Sequence, residues 1–188
     1  MKQSLGAHTL LFPAPVLLVG TYDRQGKANL MNAAWGGICN SDPPCLAVSL
    51  REATYSHAAI VERRAFTVGI PSEHLVEKAD YFGIASGRDV DKFAETGFTA
   101  VGSSLVDAPY AEEVPLVLEC RLRQSLDIGS HTLFVGEILD VKADEDVLGE
   151  GRLPDIERIR PLVFDTGHRG YYGIGSFKGK AFSVGRKE

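Results

Sequence analysis

The sequence predicts a mainly β fold with flanking helices, a mostly antiparallel barrel that carries its helices on one side. Short apolar runs bounded by Gly, Pro and Asp recur along the chain and read as strands. Leu118, Cys120 and Leu122 alternate with Glu119, Arg121 and Arg123. That period of two predicts a strand with one buried and one wet face. Strands and helices do not alternate regularly, which disfavours a doubly wound parallel sheet.

In chain order, Pro15–Tyr22 is β-branched and apolar and predicts a buried strand. Asp23-Arg24-Gln25-Gly26 predicts a tight turn, with Ala28–Ala34 returning as the partner strand. Cys45–Leu50 is a further short strand, and Thr54 is placed to cap a helix that runs to about Glu62. Ala65–Ile70 returns to strand character. Ser72 then caps a second helix, with Leu75, Val76 and Ala79 on its apolar face. A polar loop, Ser86-Gly87-Arg88-Asp89, leads to a short helix around Val90–Glu95. Leu116–Ser125 and Thr132–Lys142 predict long strands, Pro161–Asp165 a last one, and the tail from Ser176 either packs on a neighbour or frays.

The chain has 188 residues, which predicts one domain over 1–188 with a real core. A formal net charge of -5 argues against nucleic acid or an anionic membrane as the main partner, while leaving room for a small anion held by local cations. The apolar N-terminal stretch is broken by Pro13 and Pro15, unlike a secretory signal, and no run reaches the ~18 apolar residues of a membrane span. The expected compartment is the cytoplasm. The three cysteines, Cys39, Cys45 and Cys120, lack the spacing of a zinc site or a disulfide framework, so no metal is expected. No Rossmann, Walker A, HExxH or nucleophile-elbow motif is present.

Local constellations carry what chemistry there is. Asn29, Asn32, Ala33, Ala34 and Trp35, followed by two glycines, would let a flat ligand approach the backbone, with Trp35 edging a ring; the plainer alternative is a strand end with a core Trp. Ser49, Leu50, Arg51, Thr54 and Ser56 surround a strand end and a helix start, where unpaired N–H groups and a guanidinium suit a phosphate; an ordinary cap with a solvated Arg51 is the alternative. Ser86, Gly87 and Lys92 lie at another helix start, in reach of the same anion, although charged loops are usually solvated. His131 stands at a loop-to-strand junction and either enters a ligand mouth or is structural. Together these segments point to a planar ligand bearing a phosphate.

The stretches PAPVLLVGTYDRQGKANLMNAAWGG, AVSLREATYSHAAI, FTVGIP, SGRDVDKF, HTLFVGEI and RPLVFDTGHRGYYGIG resemble, in order and over nearly the whole chain, the flavin reductase-like FMN-binding split β-barrel family, especially its flavoredoxins. The resemblance implies a homodimer with one FMN per subunit near the interface. It implies that Asn29 to Trp35 face the flavin ring. Ser49, Leu50, Arg51, Thr54 and Ser56 would hold ring edge, ribityl and phosphate, and Ser86, Gly87 and Lys92 would complete the phosphate end. His131 would sit near the reactive face, where NADH or NADPH enters transiently, and Phe164 would close the pocket. Many flavin reductases carry Gly-Asp-His where this chain has Gly129-Ser130-His131, which removes a carboxylate partner for the imidazole. The implied function is FMN-dependent electron transfer with a redox partner protein. The alternatives are an NAD(P)H-dependent flavin reductase and a non-catalytic flavin-binding module.

Overall fold

The computed structural model describes residues 1–186. Strands β1 (Ala14–Pro15) and β2 (Leu17–Tyr22) come first, and a turn with Gly26 at φ 82° leads into β3 (Ala28–Ala33). β4 (Gly36–Ser41) and β5 (Pro44–Leu50) form a hairpin, followed by helix α1 (Tyr55–Arg63) and β6 (Ala65–Ile70). A 3-10 turn (Glu73–Leu75) runs into α2 (Val76–Ile84), and α3 (Lys92–Thr96) follows. β7 (Ala100–Gly102) pairs with β8 (Pro109–Ala111), and the long β9 (Leu116–Asp127) and β10 (Thr132–Ala143) pair along their length. Short helix α4 (Ile156–Ile159), β11 (Val163–Asp165) and β12 (Gly170–Tyr172) complete the fold. The main sheet has the order β3-β2-β6-β9-β10-β5-β4, every neighbouring pair antiparallel. It curls without closing, because its two edge strands, β3 and β4, are not hydrogen-bonded to each other.

Two apolar clusters explain the sequence pattern. Leu17 and Val19 of β2 point into the barrel with Val48, Phe66, Cys120 and Phe134. Val16 and Leu18 point outward, against Phe82, Phe93 and Ala79 of the helical layer. β2 is therefore covered on both faces, and its uninterrupted apolar run follows from that. α1 lays Ile60 into the barrel cluster, while α2 and α3 cover β3 from outside.

The mainly β expectation holds, and the differences are local. β4 is an additional strand: its sequence, GGICNS, is glycine-rich and it lies on the sheet edge, almost wholly exposed, so no alternation marks it. β7, β8 and β12 are three-residue strands, too short for a periodic signal. Glu119 does not lie on a wet face. It is fully buried, with Lys142 Nζ 3.2 Å from its Oε1. Ser72 precedes a 3-10 turn rather than α2 itself, and α3 starts at Lys92, capped by the Asp91 carboxylate, which accepts from the Phe93 and Ala94 N–H groups. Among the described residues, no helix is long and apolar enough to cross a membrane. The tail from Ser176 pairs with no strand among the described residues and exposes Phe177, Phe182 and Val184.

Candidate functional site

A groove of about 260 Å³ opens beside β3. Asn29 and Met31 of β3 form one wall, Ala53 to Ser56 at the start of α1 a second, and Phe82 to Arg88 at the end of α2 a third, with Lys92 beneath. It adjoins a hollow of about 300 Å³ that shares Gly83 and Ile84 and adds Asn32, Ala34, Asp80, Phe164, Arg169 and Tyr171. Together they fall within the size range of small-molecule and cofactor sites.

One end of the groove is built for an anion. Thr54 stands at the N-cap of α1, but its hydroxyl donates backward to the Arg51 carbonyl at 2.8 Å and caps nothing. The first-turn N–H groups of α1 are left without a side-chain acceptor from the cap, at the positive end of the helix dipole. Arg88 crosses to this end. Its guanidinium donates to the Ala53 carbonyl at 2.9 Å and lies 5.7 Å from the centre of the Tyr55 ring. Tyr55 is held in turn by donating to Asp23 at 2.6 Å, which pushes the phenol up to about 12. Lys27 Nζ donates to the Gly87 and Val90 carbonyls and pins the loop that carries Arg88.

Lys92 is buried. Its ammonium donates to the Leu30 and Phe82 carbonyls, each at 2.9 Å. Burial lowers it to about 8. Two of its three N–H groups are spent on the protein, which leaves one for a ligand. Midway along the groove, Asn29 Nδ2 donates to Ser56 Oγ at 3.0 Å, while Asn29 Oδ1 is buried without a donor among the described residues. A buried acceptor of this kind is costly unless something supplies a hydrogen bond. Gly87 faces it: a Cβ there would overlap Asn29 Oδ1 and come within 2.6 Å of the Tyr55 ring.

The structure brings Asn29, Thr54, Ser56, Ser86, Gly87 and Lys92 together in the groove, and Asn32, Ala34 and Phe164 in the hollow. Other expected site residues stand elsewhere in the chain fold. Ala33 and Leu50 are buried in the barrel cluster. Ser49 donates its N–H to the Trp35 carbonyl at 2.8 Å and ties β5 to the end of β3. The Trp35 side chain is partly exposed beside His8 to Leu11. Arg51 is exposed outside the groove. His131 lies at the β9–β10 hairpin, apart from both cavities, and the Ser130 hydroxyl, 2.8 Å from its Nδ1, takes the place of the expected missing carboxylate. The sequence covers Met31 only within the Asn29-to-Trp35 segment and does not single out Tyr55, Asp80, Gly83, Arg88, Arg169 or Tyr171 as site residues. Tyr55 and Arg88 sit inside motifs already singled out, and adjacency was the signal that could have found them.

Residues 9–173 match the flavin reductase like domain. The chain belongs to the flavin reductase-like family. Its fold superposes on the flavoredoxin of Desulfovibrio vulgaris (Miyazaki F) with a TM-score of 0.95 at 52% identity, covering 99% of this chain and 100% of that one. The flavoredoxin from Methanosarcina acetivorans gives a TM-score of 0.92 at 33% identity, covering 99% and 98%. A high molecular weight rubredoxin of Moorella thermoacetica is 29% identical over 150 residues, 79% of this chain and 59% of that protein.

Gly87→Ala is expected to place a methyl group against Asn29 Oδ1 and narrow the groove. Flavin titration followed by fluorescence should show at least about a tenfold rise in Kd, the ~1.4 kcal/mol expected of a modest steric clash, with circular dichroism unchanged. An unaltered Kd would detach the groove from flavin binding.

Proposed function

We propose that this protein is an FMN-binding flavoprotein that mediates electron transfer in the manner of a flavoredoxin. The observation that carries the proposal is the groove's polar arrangement: an orphaned buried acceptor at Asn29, the Gly87 backbone opposite it, an uncapped α1 start with Arg88 beside it, and Lys92 beneath the groove. FMN has the matching parts. Its phosphate dianion suits the helix start and the cations, and its ring and ribityl donors suit Asn29. The similarity to flavoredoxins supports the same reading.

When bound, FMN supplies the redox chemistry, taking up electrons at its ring and passing them on. The protein's residues bind and orient it. Arg88, Ser86, Thr54 and Ser56 hold the phosphate end, with Lys92 below and Arg51 adding long-range positive charge from outside. Asn29 and Asn32 address the ring and its edge, Ala34 allows close approach, and Phe164 covers one side. Ala33, Ser49 and Leu50 shape the strand ends that carry these groups, with Ser49 binding Trp35 through the backbone. A homodimer completes the arrangement. The β9–β10 hairpin exposes Leu126 and Ile128, and β4 exposes Ile38, apolar surface that suits a second copy. In that assembly Trp35 and His131 meet the ring region, and in the alternative reading, a flavin reductase, His131 governs the transient access of NADH or NADPH. The reading places the protein in the cytoplasm with a redox partner protein as its donor or acceptor.

Anaerobic addition of NADH and then NADPH to the FMN-loaded protein tests the electron-transfer assignment. Flavin bands near ~450 nm should persist until a reduced carrier protein or dithionite is added. Rapid bleaching by a nicotinamide with steady turnover of free flavin would instead make it a flavin reductase. Bands that no physiological donor bleaches would make it a binding module.

Lys92 gives the binding a pH signature. In the free protein its ammonium loses its proton at about 8. A phosphate dianion nearby favours the charged form and raises that value, so binding takes up a proton above pH 8. FMN affinity should therefore be level from about pH 7 to 8 and fall by up to about tenfold per unit above it. Lys92→Arg, charged throughout, should flatten the slope. Equal dissociation constants for the parent at pH 7 and pH 9 would remove Lys92 from the phosphate end.

A further inference from the structure

We propose that Asp80 and Tyr171 form a positioning relay that fixes the Asn32 amide with its oxygen toward the ring of bound FMN, an inference that rests on the FMN assignment above. The relay is visible in hydrogen bonds that can run only one way. Asn32 Nδ2 lies 2.9 Å from the Ala79 carbonyl and 3.2 Å from the Tyr171 hydroxyl. A carbonyl can only accept, so the atom facing Ala79 must be the amide nitrogen. The Tyr171 hydroxyl has one proton and donates it to Asp80 Oδ1 at 2.9 Å. Its oxygen is then left to accept from Asn32. Both amide protons are spent, and the amide cannot turn over without losing both bonds.

What remains is Asn32 Oδ1, which meets no donor among the described residues. Asn32 lines the hollow with Ala34 and Phe164, the end of the cavity that extends away from the phosphate cradle. The flavin ring edge carries an N–H donor between two carbonyls. A fixed acceptor selects that donor, and an amide free to flip would present NH₂ to it half of the time. The relay joins three parts of the chain. Asn32 is on β3. Asp80 and Ala79 are on α2, which approaches so closely that a Cβ on Gly83 would lie 3.3 Å from the Cβ of Asn32. Tyr171 is on β12, its ring 5.4 Å from that of Phe164. The late hairpin thus reaches back across the fold to orient one amide at the site. Tyr171 acts through Asn32 and is a positioning residue.

A double-mutant cycle on the full chain separates this role from plain packing. The parent, Tyr171→Phe, Asn32→Ala and the double variant are titrated with FMN, and the absorption maximum of the bound flavin is recorded for each. Tyr171→Phe should raise the FMN Kd about fivefold, the loss of one oriented hydrogen bond, and displace the flavin band. In the Asn32→Ala background the same substitution should change neither. Asp80→Asn, which keeps the shape and weakens the hold on Tyr171, should produce a smaller change of the same kind and serves if Tyr171→Phe does not fold. Equal effects in both backgrounds, or no effect in the parent, would overturn the relay and leave the FMN assignment standing. A parent that takes up no FMN would overturn both.

Discussion

A strand with one bare edge is the constraint on which the site depends. β3 is hydrogen-bonded to β2 alone, and the sheet that starts with β3 ends at β4 without closing. Bare edges invite unwanted pairing unless something covers them. Here the cover is helical and polar: α2 and α3 lie across β3, and the Lys92 ammonium takes the Leu30 carbonyl that no strand takes. A helix cannot fill a strand's edge as another strand would. The space left between β3, the start of α1 and the end of α2 is the groove.

That geometry also explains why the chemistry rests on hydrogen-bond donors and acceptors rather than a reactive side chain. The groove combines a helix start, an arginine held by stacking and a carbonyl contact, a buried lysine and an asparagine oxygen without a partner. Buried and partly buried groups of this kind exert strong local fields because little water screens them. Such a set recognises a cofactor and tunes it. The mild negative charge of the chain as a whole is no obstacle, since the relevant cations are local.

Much of the fold was legible because β2, β6 and β9 carry strong patterns: β2 and β6 mostly apolar and β-branched, β9 alternating at Leu118, Cys120 and Leu122. β4 was not legible, since an exposed edge strand of small and polar residues has no period to read. Glu119 broke the alternation rule because Lys142 reaches its carboxylate from the neighbouring strand, a pairing that only register reveals. At the site, the segments were legible and the side chains less so. Thr54 and Ser86 were found through turn and cap chemistry. Arg88 was hidden among charged loop residues, and Tyr171 lies too far along the chain for any local pattern to connect it with Asn32.

The groove is proposed to hold FMN by its phosphate at the start of α1. The most direct measurement compares the dissociation constants of FMN and riboflavin, which differ only in that phosphate. FMN should bind at least about a hundredfold more tightly, as two charge-assisted contacts of ~1.5 kcal/mol each would give, and Arg88→Ala should remove much of the difference. Equal affinities for the two flavins would contradict it.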